Sequence, residues 1–152
     1  NYNCPGQIVI TGEAAAVAEA GTALKEAGAR RVLPLKVSGP FHSPMMRPAG
    51  EELAKVFAGV SMNPLKVPYV ANINAEVITD CGRIEGLLVD QVSGSVRWQQ
   101  SVETMIREGV DTFVEIGPGK TLTGFLRKID KNVKAYHIGS WEEAVQVCEE
   151  LK

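Results

Sequence analysis

The stretch Thr112-Phe113-Val114-Glu115-Ile116-Gly117-Pro118-Gly119-Lys120-Thr121-Leu122 decides the fold class. Five strand-forming residues run into a Gly-Pro-Gly turn, and the turn opens a segment with Leu122, Leu126 and Ile129 at helical spacing. Residues 133–138 read as a second strand. Ser140-Trp141-Glu142-Glu143 is a capping box that starts a last helix through Val147 and Leu151. Strand and helix alternate, which predicts an α/β protein.

Outward from this unit the same grammar continues. Gln7-Ile8-Val9-Ile10 is a short apolar run between Pro5-Gly6 and Thr11-Gly12, and predicts a buried strand. Residues 13–27 predict a helix that Gly28 stops. Residues 30–37 set Leu33, Leu35 and Val37 at period two and predict a strand, with Pro34 marking an edge or a bulge. Gly39-Pro40 is the strongest seam in the chain. Beyond it Ser43 reads as an N-cap and Pro44 as a first helical residue, followed by a stripe of Met46, Ala49, Leu53, Val56, Phe57 and Val60 whose first turns Pro48 should distort. Residues 67–71 predict a strand. Ile84, Leu88 and Val92 mark a weak helix, and Trp98, Val102, Met105 and Ile106 a clear one ended by Gly109.

Composition narrows the function. The 152 residues are 45% hydrophobic and 22% charged, with a net charge of −2, so neither wholesale disorder nor nucleic-acid binding through bulk charge is expected. No apolar run approaches the roughly 18 residues of a membrane helix. Cys4, Cys81 and Cys148 lie far apart, without zinc spacing, and suit a reduced, cytoplasmic protein; Cys4 is expected to be a buried packing residue. The start at Asn1-Tyr2-Asn3, with no Met and no signal peptide, reads as a cut.

Few residues carry chemistry. His137 sits inside a predicted strand and reads as structural. His42 sits in a loop before a helix, where the positive end of the dipole favours a neutral ring; it is a candidate general base, the alternative being a helix or turn cap. Gly119-Lys120-Thr121 imitates the end of a phosphate-binding loop, but the glycine required five residues earlier is Val114, so the loop is too short to wrap phosphates; the helix amides there remain open to an anionic group. Arg127, Lys128, Lys131 and Lys134 form a basic spot, either solvated surface or a dock for an acidic protein. No serine lies in a Gly-x-Ser-x-Gly elbow, and no acid pair suits glycoside chemistry.

Four motifs then fall into a familiar order. Asn1-Tyr2-Asn3-Cys4-Pro5-Gly6-Gln7-Ile8-Val9-Ile10, Leu35-Lys36-Val37-Ser38-Gly39-Pro40-Phe41-His42-Ser43-Pro44, Gln91 seven residues before Trp98, and Glu115-Ile116-Gly117-Pro118-Gly119-Lys120-Thr121 together resemble the malonyl-CoA:acyl carrier protein transacylases. The resemblance implies ping-pong acyl transfer: a serine attacks malonyl-CoA, and the phosphopantetheine thiol of acyl carrier protein takes the malonyl group from the resulting ester. By match, His42 is the base, the backbone carbonyl of Gln91 orients it, Asn3 lines the site and Phe41 restricts the acyl group to malonyl.

The resemblance implies no cofactor and no metal, because malonyl-CoA and the carrier protein are substrates. It implies two subdomains: residues 1–38 as part of a ferredoxin-like small one, and residues 39–152 as the C-terminal part of an α/β-hydrolase-like large one. It also implies a missing N-terminal half with the serine elbow, so the isolated chain is expected to be inactive. A second reading, of another class, is a non-catalytic module that binds a carrier protein or a small ligand.

Overall fold

The computed structural model describes residues 1–152 and shows a mixed α/β chain with three two-stranded sheets. β1 (Tyr2–Cys4) and β2 (Gln7–Ile8) form an antiparallel hairpin. Gly6 has φ +77°, the left-handed conformation that a proline-led turn needs at this position. β1 has no sequence signal of its own; its backbone is held by β2 and by the Tyr2 N–H, which donates to Val96 O at 2.8 Å.

α1 (Ala14–Glu26) follows, capped by the Glu13 carboxylate, which accepts from the Ala16 N–H at 3.0 Å. Its buried Gly21 lets Val32 pack against the helix: a methyl group there would lie 3.3 Å from Val32 Cγ1. The strand expected over residues 30–37 does not form, which corrects the sequence reading. Period-two apolarity needs a ladder partner to become a strand, and none of the three sheets includes this segment. Leu33, Leu35 and Val37 stay 63%, 59% and 63% exposed.

A 3-10 turn (Pro44–Met46) leads into α2 (Arg47–Phe57). Two expectations change here. Ser43 makes no side-chain cap, and Pro48 falls in the first turn of α2, where its lost N–H is not needed. Next comes a second antiparallel hairpin, β3 (Tyr69–Val70) with β4 (Val77–Ile78). α3 (Ile84–Ser93) packs against α2 across Gly50, where an added methyl would lie 3.1 Å from Val89 O. α4 (Trp98–Arg107) buries Ser101, Val102 and Thr104, and the Thr104 hydroxyl donates to Ala75 O at 2.9 Å, tying the helix to the second hairpin.

The deciding stretch folds as read. β5 (Thr112–Ile116) and β6 (Lys134–Ile138) are parallel, in register from Thr112↔Lys134 to Ile116↔Ile138, and α5 (Thr121–Ile129) makes the crossover that parallel pairing requires. α6 (Trp141–Glu150) packs back on β6. Its Ser140 hydroxyl accepts from the Glu143 N–H at 3.2 Å, while the Glu143 carboxylate reaches the Gly139 N–H at 2.6 Å.

The core is thin. Its fully buried apolar residues are Cys4, Ala71, Ile78, Val102, Leu126 and Val147. The accessible surface is 10624 Å² for 16.4 kDa, whereas a folded monomer of that mass exposes about 7,500 Å². The excess, about 3,000 Å², includes apolar residues on both wings of the chain: Ile8, Leu33, Leu35 and Val37 on one, and Ile116 on the other. No helix is long and apolar enough to cross a membrane.

Candidate active site

His42 is set by a tight turn. The Ser43 hydroxyl, almost fully buried, donates to Pro40 O at 2.7 Å and closes the Pro40–Ser43 loop. His42 at the top of this loop takes φ +60°, a conformation costly for a residue with a side chain and one that recurs at functional sites. The seam between α2 and α3 then brings the loop to the C-terminal end of α3. There His42 Nδ1 lies 3.0 Å from the backbone oxygen of Gln91, 49 positions away in the chain.

The last turn of a helix has carbonyls with no partner in the helix, and Gln91 supplies one of them. A carbonyl only accepts, so Nδ1 carries the hydrogen and Nε2 keeps its lone pair. His42 Nε2 makes no hydrogen bond within the chain. The helix end that the ring meets is therefore the negative end of α3, not the positive end of the following helix that its place in the sequence suggested.

The other residues singled out by sequence are placed less tightly. Phe41 adjoins His42 and is half exposed, with its ring against Gly39. Asn3 lies mid-β1, partly exposed, and makes no side-chain hydrogen bond to His42 or Gln91. β1 is nonetheless joined to the segment after α3 by Tyr2 N–H to Val96 O, and by Val96 N–H to Asn1 Oδ1 at 3.4 Å. Sequence reasoning overlooked Gly50 and Gly94. An added methyl at Gly94 would fall 2.8 Å from Asp90 O and onto the end of Ile73. The glycine after Ser93 was a visible helix-stop signal, whereas the helix seam at Gly50 had none.

A second polar cluster surrounds the Gly117–Gly119 turn. Glu115 accepts from the Leu122 N–H at 3.1 Å, the Thr123 N–H at 2.7 Å and the Thr123 hydroxyl at 2.6 Å. These are the amides that the sequence left open to an anion, and the chain's own carboxylate takes them. His137, only 9% exposed, contacts Gly117 O through Nε2 at 3.0 Å and faces Glu143 Oε2 through Nδ1 at 3.5 Å. No cluster of three His, Cys, Asp or Glu side chains forms that could hold a metal.

Burial opposes ionisation of Glu115, but the Thr123 hydroxyl, the Thr123 and Leu122 amides and the nearby His137 outweigh it and hold the carboxyl below its ordinary value. Its folded-state pKa is thus below the unfolded one. The stabilisation is complete above the ordinary carboxylate range and is lost as pH falls through the folded value. Glu115→Ala should lower stability by about 1–2 kcal/mol at pH 7, the cost of losing a helix cap. In urea titrations the gap between parent and variant should shrink at pH 3; an undiminished gap would mean that packing rather than charge is responsible.

Fold and site define a mixed α/β protein whose loop histidine is held by a main-chain carbonyl, with its second ring nitrogen unoccupied. The chain belongs to the acyl transferase domain family, which matches residues 1–147. It is 42% identical over 152 residues to the malonyl CoA-acyl carrier protein transacylase of Bacillus subtilis (strain 168), covering all of this chain and 48% of that protein. It superposes on the crystal structure of MCAT from Streptococcus pneumoniae with a TM-score of 0.93 and 44% identity, over 99% of this chain and 49% of that one. A malonyl-transacylase solved in complex with its type II PKS acyl carrier protein matches with a TM-score of 0.87 and 37% identity, over 91% of this chain and 45% of that one. The chain thus spans about half the length of the relatives it matches.

Proposed function

We propose that this chain supplies the histidine side of a site that moves malonyl from malonyl-CoA to the phosphopantetheine thiol of acyl carrier protein. The observation that carries the reading is the 3.0 Å contact from His42 Nδ1 to Gln91 O, which leaves Nε2 available as a base. The nucleophile is a serine from outside these 152 residues, because no serine hydroxyl of this chain hydrogen-bonds the His42 ring.

Nε2 takes the serine proton as the serine oxygen bonds to the thioester carbonyl carbon. The C–S bond breaks, and the proton passes to the departing CoA sulfur. In the second half-reaction Nε2 accepts the proton of the carrier's thiol, whose sulfur attacks the malonyl ester, and the proton returns to the serine oxygen. Gln91 O holds the ring throughout, in the place that a carboxylate fills in other triads. No cofactor takes part in these steps.

On this reading residues 1–38 belong to a ferredoxin-like small subdomain, and residues 39–152 to an α/β-hydrolase-like large one. Malonyl transfer by this chain joined to a serine-bearing acyltransferase segment tests the reading; a joined, folded protein that releases no CoA would sink it. Asn3 is assigned to the wall of the site, and Phe41 to the choice of acyl group. Phe41→Ser, by removing a ring from the site, should shift the malonyl to methylmalonyl preference toward methylmalonyl by about ten-fold. A ratio of kcat/KM values that does not move would remove Phe41 from the specificity determinants.

A further inference from the structure

We propose that the Ser43 hydroxyl is a positioning group for His42: its bond to Pro40 O latches the loop in the left-handed turn from which the ring meets Gln91. The proposal rests on the reading of His42 as a base and adds a second residue to it. At φ +60°, His42 holds a conformation that a residue with a side chain keeps only where its surroundings impose it. A group close to the loop must supply that constraint.

The two prolines fix the ends of the turn but not its middle. Pro40 has a locked φ. Ser43 precedes Pro44, which keeps it out of the helical region, and it is extended at φ −128°, ψ 163°. Phe41 and His42 lie between them, and neither makes a backbone hydrogen bond. The Ser43 hydroxyl spans both by donating to Pro40 O at 2.7 Å, on a residue only 2% exposed, where water competes little for the bond.

The hydroxyl has another use open to it and does not take it. An extended serine before a helix ordinarily turns its oxygen to the N–H of the second or third helical residue. Ser43 makes no such side-chain cap. The main chain closes the 3-10 turn instead, with the Met46 N–H donating to the Ser43 backbone oxygen at 2.9 Å, and Pro44 brings no N–H to satisfy. The hydroxyl is therefore spent on the loop behind it rather than on the helix ahead. The same bond explains why Ser43, although adjacent to His42, is not its nucleophile: its hydrogen is held by Pro40 O. Without the latch the turn relaxes toward negative φ, and the ring moves off Gln91 O.

The test is ring NMR on the whole chain labelled with nitrogen-15 in histidine, at a pH where the rings are neutral. In the parent, His42 should show a hydrogen on Nδ1 that Gln91 O protects from exchange. Ser43→Ala should lose that signal, while the His137 signals and the helical circular dichroism stay unchanged. Ser43→Thr keeps the donor and should keep the signal. In an acyltransferase formed from this chain and a serine-bearing segment, Ser43→Ala should lower kcat for CoA release roughly ten- to hundred-fold, the cost of misplacing a reacting group by about 1 Å, with KM for malonyl-CoA unchanged. If Ser43→Ala fails to fold, Ser43→Cys, with a weaker donor, takes its place, and a partial loss of signal is expected. A folded Ser43→Ala, or in its place a folded Ser43→Cys, with the parental His42 signal overturns the proposal. So does a folded Ser43→Thr that loses it. A lost signal with an unchanged kcat keeps the latch and removes His42 as the base, which separates failure of the proposal from failure of the reading it rests on.

Discussion

Replacing His42 with alanine, in an acyltransferase formed from this chain and a serine-bearing segment, should slow release of CoA from malonyl-CoA by roughly 10²–10⁴-fold, the usual worth of a positioned general base. The loss should appear in kcat with little change in KM, because in the proposed mechanism the imidazole acts on the serine proton rather than on malonyl-CoA in its ground state. The position adds a complication that the backbone makes plain. His42 has φ +60°, and alanine in that conformation costs about 1–2 kcal/mol. His42→Asn separates the two effects, because asparagine tolerates this region far better. Both variants should lose acylation to a similar extent, and only the alanine variant should lose thermal stability. Single-turnover CoA release measures the first, and calorimetry the second. An asparagine variant that acylates at the parental rate would show that another group is the base.

The isolated chain should transfer no malonyl above the uncatalysed exchange, and addition of a folded serine-bearing segment should create the activity. A base without a nucleophile forms no ester. The surface points the same way. An excess of about 3,000 Å² over a normal monomer exceeds the roughly 1,200–2,000 Å² buried in a standard stable interface. Residues 30–37 present apolar side chains and unpaired backbone to solvent, and Ile116 does the same from β5. Sedimentation should show the isolated chain associating with itself at micromolar concentration and separating when the complementary segment is supplied. Measurable turnover by the chain alone, or a monomer indifferent to the added segment, would contradict both arguments. A carrier-binding module without chemistry predicts something else: saturable binding of acyl carrier protein by the isolated chain, undisturbed by His42→Ala.

What sequence could reveal follows from where the information lay. The β5–α5–β6 unit was legible because its strands pair with each other and its turn residues are local. The helices were legible from their periodicity, with boundaries off by a few residues. β1 and β4 were not, since each is only two or three residues long and exists through its partner. Residues 30–37 failed in the opposite sense: the pattern was right for a strand, but a strand is a relation between two segments, and none of the three sheets takes this one in. At the site, His42 stood out from its loop, whereas Gln91 was reached only through resemblance. No local pattern tells which carbonyl of a helix end will face a loop 49 residues upstream. Glu115 stood in a quoted motif, but its capping role was missed, because a carboxylate inside a strand gives no sign that it will reach the next helix.

That carboxylate has a consequence of its own. Glu115 is a tethered ligand for the amides at the start of α5, present at an effective concentration in the millimolar range or above. A free phosphate would have to displace it and then share the turn with Glu143 beyond His137. The Gly119-Lys120-Thr121 sequence therefore describes a receptor that arrives already filled. Its resemblance to a nucleotide loop is real at the level of letters and is cancelled four residues upstream by the protein itself.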